Sequence, residues 1–197
     1  MNKNEIKSTG EGKNILAAFK AIARFHSDTS KLLVDCDKRI GKGRRPVFGN
    51  WATRELTYHV KADFWMPEGM FRYYEAGPGL VDGVAVTFFN AAGITNPQLE
   101  TEPLFQVARI QYKFPEIAGE VTPDIGDGIK AVCNAWDIWS LFFKETKDRA
   151  PGRLFEYADI DNGRIASARL IAVPLLSIGR IEDAQDLMNQ VVNTPSA

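Results

Sequence analysis

The chain has 197 residues, 45% of them hydrophobic and 25% charged, and its 24 basic and 25 acidic side chains leave a formal net charge of -1. That is an ordinary globular balance, and it excludes a global pull toward nucleic acid or an anionic membrane. A chain of this length buries roughly 70% of the surface its unfolded form exposes, so a sizeable core is expected without a disulfide or a metal.

Residues 1–13 are polar, charged and interrupted by Gly10 and Gly12, and read as a flexible tail ahead of one domain over residues 14–193. The start of the chain has no apolar core of signal-peptide length, and no stretch reaches about 18 apolar residues. The expectation is a soluble cytoplasmic protein with no membrane contact.

Asn14 is placed to cap the first helix. Ile15, Phe19, Ile22, His26, Thr29, Leu33, Cys36 and Ile40 are spaced alternately by four and three, which puts all eight on one helical stripe. Ser27-Asp28-Thr29-Ser30 is a weak helical patch within it, where a kink or a second cap is the alternative to one continuous helix. Gly41 stops the run. Lys38, Arg39, Lys42, Arg44 and Arg45 then make the densest positive cluster in the chain, on a glycine-containing loop. Cations near a helix C-terminus explain it, and contact with phosphate or nucleic acid is the competing reading.

Arg54 to Val60 alternates loosely as a strand would, while Asn50 to Glu55 suits the start of a short helix equally well, and Phe48 and Trp51 are expected to be buried. The aromatic stretch that follows, residues 61–90, holds Phe64, Trp65, Phe71, Tyr73, Tyr74, Phe88 and Phe89 between turn formers. Strands are expected over residues 70–75 and 83–90. In the second, Val84, Val86 and Phe88 point one way and Ala85, Thr87 and Phe89 the other, and two apolar faces mark a central strand. A third strand is expected over residues 104–114, with Arg109, Gln111 and Lys113 sharing a face with Phe105 and Val107.

Thr122-Pro123 resembles a helix entry, and a strongly apolar helix is expected over residues 129–147. Segments 153–158 and 164–173 flank Asn162-Gly163, a strong hairpin turn signal, and should pair antiparallel. A last amphipathic helix runs from Ile181 to Val192 with Ile181, Ala184, Leu187, Met188 and Val191 inward. The resulting fold class is α+β: a single domain with a mainly antiparallel sheet of five to six strands and three long helices packed on it.

No catalytic signature is present. The Asp159-x-Asp161-Asn162-Gly163 run departs from a calcium loop, because its glycine comes one position early and Leu170 stands at the closing acidic position. Cys36 and Cys133 fall on apolar helix faces and read as buried reduced thiols. A disulfide would need those two helices to touch. His26 belongs to a helix stripe. His59, beside Tyr58 and near Asp63, has the chemistry of a general base but no evident nucleophile beside it. No metal site and no cofactor is expected.

Two functional readings follow. The first is a non-enzymatic binding or regulatory domain, a protein-interaction module. Phe64, Trp65 and Met66, joined by Met70 and Tyr74, would form its contact patch, and self-association is one version. A protein partner is favoured over a small molecule, and nucleic acid enters only through the basic loop at Arg44 and Arg45. The alternative rests on element order, since helix, three strands, helix and strand resembles a restriction-endonuclease-like core. That resemblance implies a metal-dependent nuclease or phosphodiesterase, with Asp82 and Gln111 at the metal and Lys113 stabilising the developing charge. Gln111 replaces the more usual carboxylate, and Asp82 precedes its strand. A small-molecule pocket between the sheet and the Trp136/Trp139 helix is a third, weaker option.

Overall fold

The computed structural model describes residues 10–48, 69–88, 102–113, 151–160 and 164–193, with the single positions 129, 132, 133, 137, 138 and 141. Its framework is one antiparallel five-stranded sheet and two helices. The strands are β1 (Gly69–Gly77), β2 (Leu80–Thr87), β3 (Leu104–Tyr112), β4 (Leu154–Ile160) and β5 (Ile165–Pro174). The helices are α1 (Gly10–Arg39) and α2 (Ile181–Asn193). Spatial order across the sheet is β1-β2-β3-β5-β4, and every neighbouring pair is antiparallel.

The expected α+β class and antiparallel sheet are present, with differences in detail. The sheet has five strands among the described residues, and the ambiguous segment at residues 54–60 lies outside them. Two long helices are described rather than three. Of the expected helix at residues 129–147, positions 129, 132, 137, 138 and 141 are helical, whereas Cys133 is not. α1 starts at Gly10, so Asn14 lies inside the helix and is not its cap. The weak patch at residues 27–30 does not break α1. Asp28 pairs with Lys31 at 2.9 Å and with Arg24 at 3.8 Å, and Thr29 is buried. Those contacts keep the polar residues within the helix instead of capping a new one.

β1 and β2 are joined by Pro78-Gly79. Proline suits the first central position of such a turn, and Gly79 takes the positive φ of 66° that the second demands. The outer edge of β1 is not bare. Val47 N donates to Tyr73 O, and Glu75 N donates to Arg45 O, so the basic loop after α1 lies along that edge. Gly41 is required there, because a Cβ would collide with the Tyr74 ring and sit 2.9 Å from Asp37 O. The β4–β5 hairpin forms as read from sequence, although its turn residues 161–163 are outside the described set.

Register divides the core in two. Met70, Tyr74, Val84, Val86, Phe105, Val107 and Ile171 pack beneath α1 and α2, with Leu33, Cys36, Ala184, Met188 and Val191 supplied by the helices. Phe71, Tyr73, Val81, Ala85, Ala108, Ile110, Tyr112 and Leu170 pack on the other face with Ile129, Cys133, Ile138 and Leu141. β2 and β3 are covered on both faces, as expected for β2, and are largely apolar apart from a few paired polar side chains. Cys36 and Cys133 thus belong to opposite layers, both are free, and they cannot form the disulfide that touching helices would have allowed.

Burial pushes both thiols up to about 12, with Asp37 and Asp35 adding to the effect at Cys36. A neutral thiol reagent at pH 8 should label neither cysteine in the native protein and both in urea. Labelling of either at the unfolded rate would show that its layer is open. Because these thiols ionise only in the unfolded chain between the ordinary thiol range and about pH 12, stability should fall as pH rises through that window.

Candidate functional site

The helix-covered face of the sheet carries a row of polar residues at one level. Direct cross-strand partners run Tyr74, Asp82, Arg109, Arg169 and Glu156 from β1 to β4. Direct partners on antiparallel strands share a face, so this row is continuous across all five strands. Asp82 is its centre and is completely buried. Arg109 Nε donates to Asp82 Oδ1 at 2.7 Å, and Arg109 Nη2 donates to Oδ2 at 2.9 Å. Arg44, from the loop after α1, also donates to Oδ2. Beside them, Arg72 donates to both oxygens of Asp37 at 2.8 Å, and the Tyr74 hydroxyl donates to Asp37 Oδ1 at 2.7 Å. Arg169 Nε meets Glu156 at 3.1 Å.

The opposite face holds a second charged group. Arg164 grips Asp137 through Nη1 at 2.9 Å and Nη2 at 2.5 Å, and the Tyr112 hydroxyl donates to Asp137 Oδ2 at 2.6 Å. Arg164 also donates to Val132 O and lies 5.6 Å over the Tyr112 ring. Tyr112 O–H is 3.3 Å from Cys133 Sγ. Burial holds the Tyr112 and Tyr73 hydroxyls well above the ordinary phenol range, so they stay neutral donors or acceptors.

The sequence-derived site residues fare differently. Asp82 lies within β2, not before it, and both its oxygens face guanidinium groups. Gln111 shares the face of Asp82, but its amide turns to Pro78 O and Tyr112 O, each at 3.2 Å. Lys113 reaches out to Asp159 at 2.5 Å. The structure therefore does not bring these three together around one centre, and no metal-binding cluster of acids, histidines and cysteines occurs among the described residues. Arg44 is engaged with Asp82, and Arg45 approaches Glu75 at 3.9 Å. Phe64, Trp65, Met66 and His59 lie outside the described residues. Met70 and Tyr74, expected to extend the aromatic patch, are buried beneath the helices and leave it.

His26 packs against Phe88 at a ring separation of 4.7 Å, and partial burial lowers its pKa. Asp137 and Arg164 were not singled out by the sequence. The available signal was an acid inside the strongly apolar run at residues 129–143, which a buried helix tolerates only with a partner.

Three large apolar groups stand exposed together on the first turns of α1. Ile15 is 59% exposed, Leu16 55% and Phe19 67%. They continue the stripe whose later members, Thr29, Leu33 and Cys36, are buried. No helix among the described residues is long and apolar enough to cross a membrane.

Among the described residues, fold and sites define an α+β protein with an antiparallel sheet, arginine–carboxylate groups centred on the buried Asp82 and Asp137, and a first helix exposed over its early turns. No protein-family model, curated protein or solved structure matches the chain.

Proposed function

We propose that the chain is a non-enzymatic protein-interaction module whose docking element is the first half of α1, with a second copy of the chain as the occupant. The observation that carries this is the divided stripe. A 30-residue helix is about 45 Å long, while strands of eight or nine residues span about 30 Å. Contacts of Phe25 and His26 with Phe88, just past the end of β2, mark where the helix leaves the sheet. Residues 10–21 before that point are all exposed, Ile22 is half-buried, and the apolar spacing is the same as in the covered half.

A second copy fits the charge pattern. Alternating steps of four and three are the seam spacing of paired helices. Leu16, Ala18 and Ala23 flank the seam, while Lys13, Lys20 and Arg24 fall at positions away from it. Two copies therefore meet apolar against apolar without opposed cations. The small alanines permit close approach of the backbones.

The test is sedimentation velocity across a concentration series. The wild-type chain should move from monomer to dimer, and Ile15→Asp and Phe19→Asp should each remain monomeric. Because both side chains are exposed, their melting temperatures should stay within about 2 °C of wild type at low protein concentration. A wild-type chain that stays monomeric at every concentration overturns the proposal. So does monomeric protein that instead cosediments with anionic vesicles through Phe19, since the face would then serve a lipid surface.

The metal-dependent nuclease alternative draws no support from Asp82, whose two carboxylate oxygens are both engaged by guanidinium groups.

A further inference from the structure

We infer that Arg44 and Arg109 form a binding site for a phosphoryl group, built on Asp82 as a buried anchor. Two guanidinium groups share one carboxylate, so the triad carries a surplus positive charge. The next residue across the sheet in the same row is Arg169, another cation, matched by Glu156. Like charges directly opposite on neighbouring strands repel, and an anion beside them relieves that.

Donor inventory gives the same answer. Asp82 takes Nε and Nη2 of Arg109 and Nη1 of Arg44. That leaves Nη1 of Arg109 and Nε and Nη2 of Arg44 with no acceptor among the described residues. Both side chains retain access to solvent, 33% for Arg44 and 22% for Arg109. Asp82, with none, fixes the guanidinium planes while their remaining edges stay available. Planar, pre-oriented guanidinium groups suit the tetrahedral oxyanion of a phosphoryl group.

The basic loop narrows the location. Lys38 is answered by Asp35 at 2.8 Å, Arg39 by Glu182 at 3.3 Å and Arg45 by Glu75 at 3.9 Å. Lys42 has no acidic partner among the described residues and is exposed on the same turn as Arg44, next to Gly43 with its positive φ of 73°. Surplus charge is therefore concentrated at Arg44 and Arg109 on Asp82, with Lys42 two residues before Arg44, rather than spread along the loop. A compact anion fits that arrangement better than a long polyanion.

The test is isothermal titration of the full chain with inorganic phosphate and, separately, with a ribonucleoside monophosphate, at ionic strength matched with chloride. Wild type should bind at least one of them. Affinity should fall about tenfold or more in Arg44→Ala, and Lys42→Ala should weaken binding less. Arg44→Ala leaves the Arg109–Asp82 pair intact, so its fold, followed by circular dichroism, should be unchanged. Tighter binding of the monophosphate marks a nucleotide-borne phosphoryl group, and equal binding marks free phosphate. Binding of neither by wild type, or equal binding by wild type and Arg44→Ala, overturns the inference. This outcome is independent of the oligomeric state read through Phe19.

Discussion

Replacing Asp82 with alanine should lower stability by roughly 3–5 kcal/mol, the largest effect of any single substitution on the helix-covered face. Asp82 is completely buried and is the shared acceptor for Arg109 and Arg44. Its removal leaves Arg109 in the middle of the sheet with Arg169 directly opposite and no carboxylate between β2 and β3. The cost comes from the stranded cation more than from the lost attraction, because the intact pair has already paid a desolvation penalty. Two companions make this specific. Arg44→Ala should cost less than about 1 kcal/mol, since Arg44 is partly exposed and Arg109 still satisfies Asp82. Asp82→Leu combined with Arg109→Met should recover most of the loss. Urea denaturation of the four proteins measures all of this, and an Asp82→Ala midpoint equal to wild type would exclude the buried pair as a structural element.

Asp137→Ala should have an effect of similar size, about 3–5 kcal/mol, on the opposite layer. Asp137 is nearly fully buried and accepts from Arg164 and Tyr112. It ties three segments distant in sequence: the helical residues around Ile138, the end of β3 and the start of β5. Arg164 would be left partly buried without this carboxylate, and the Tyr112 hydroxyl with only the weak Cys133 sulfur as acceptor. Tyr112→Phe should cost only about 1 kcal/mol, because Arg164 still satisfies Asp137. A thermal melt of the two variants separates these expectations. If Tyr112→Phe proved as damaging as Asp137→Ala, the hydroxyl and not the ion pair would be the dominant tie.

The strands were legible for a simple reason. Val84, Val86, Phe105 and Val107 recur at every second position, and β-branched and aromatic runs bounded by glycine and proline have few other uses. The β4–β5 hairpin was legible from its turn. The charged groups were not. Asp82 and Arg109 are 27 residues apart, Arg44 and Asp82 are 38 apart, and nothing local in either segment announces the other. Asp82 read as a residue before its strand because an acid is rare in a sheet centre, and only a partner makes it tolerable. For the same reason Gln111 and Lys113 invited a metal reading that their hydrogen bonds turn elsewhere.

By itself the sequence determined the α+β class, the antiparallel sheet, the two-sided burial of β2 and the whole length of the stripe on α1, because each follows from periodicity and turn chemistry within a short window. Tertiary structure alone decided strand order, the pairing of arginines with carboxylates, and which part of α1 is covered. Those depend on register between distant segments and on the length of a helix relative to the sheet beneath it. The stripe from Ile15 to Ile40 is uniform in sequence. It divides into a buried half and an exposed half only because the strands end before the helix does.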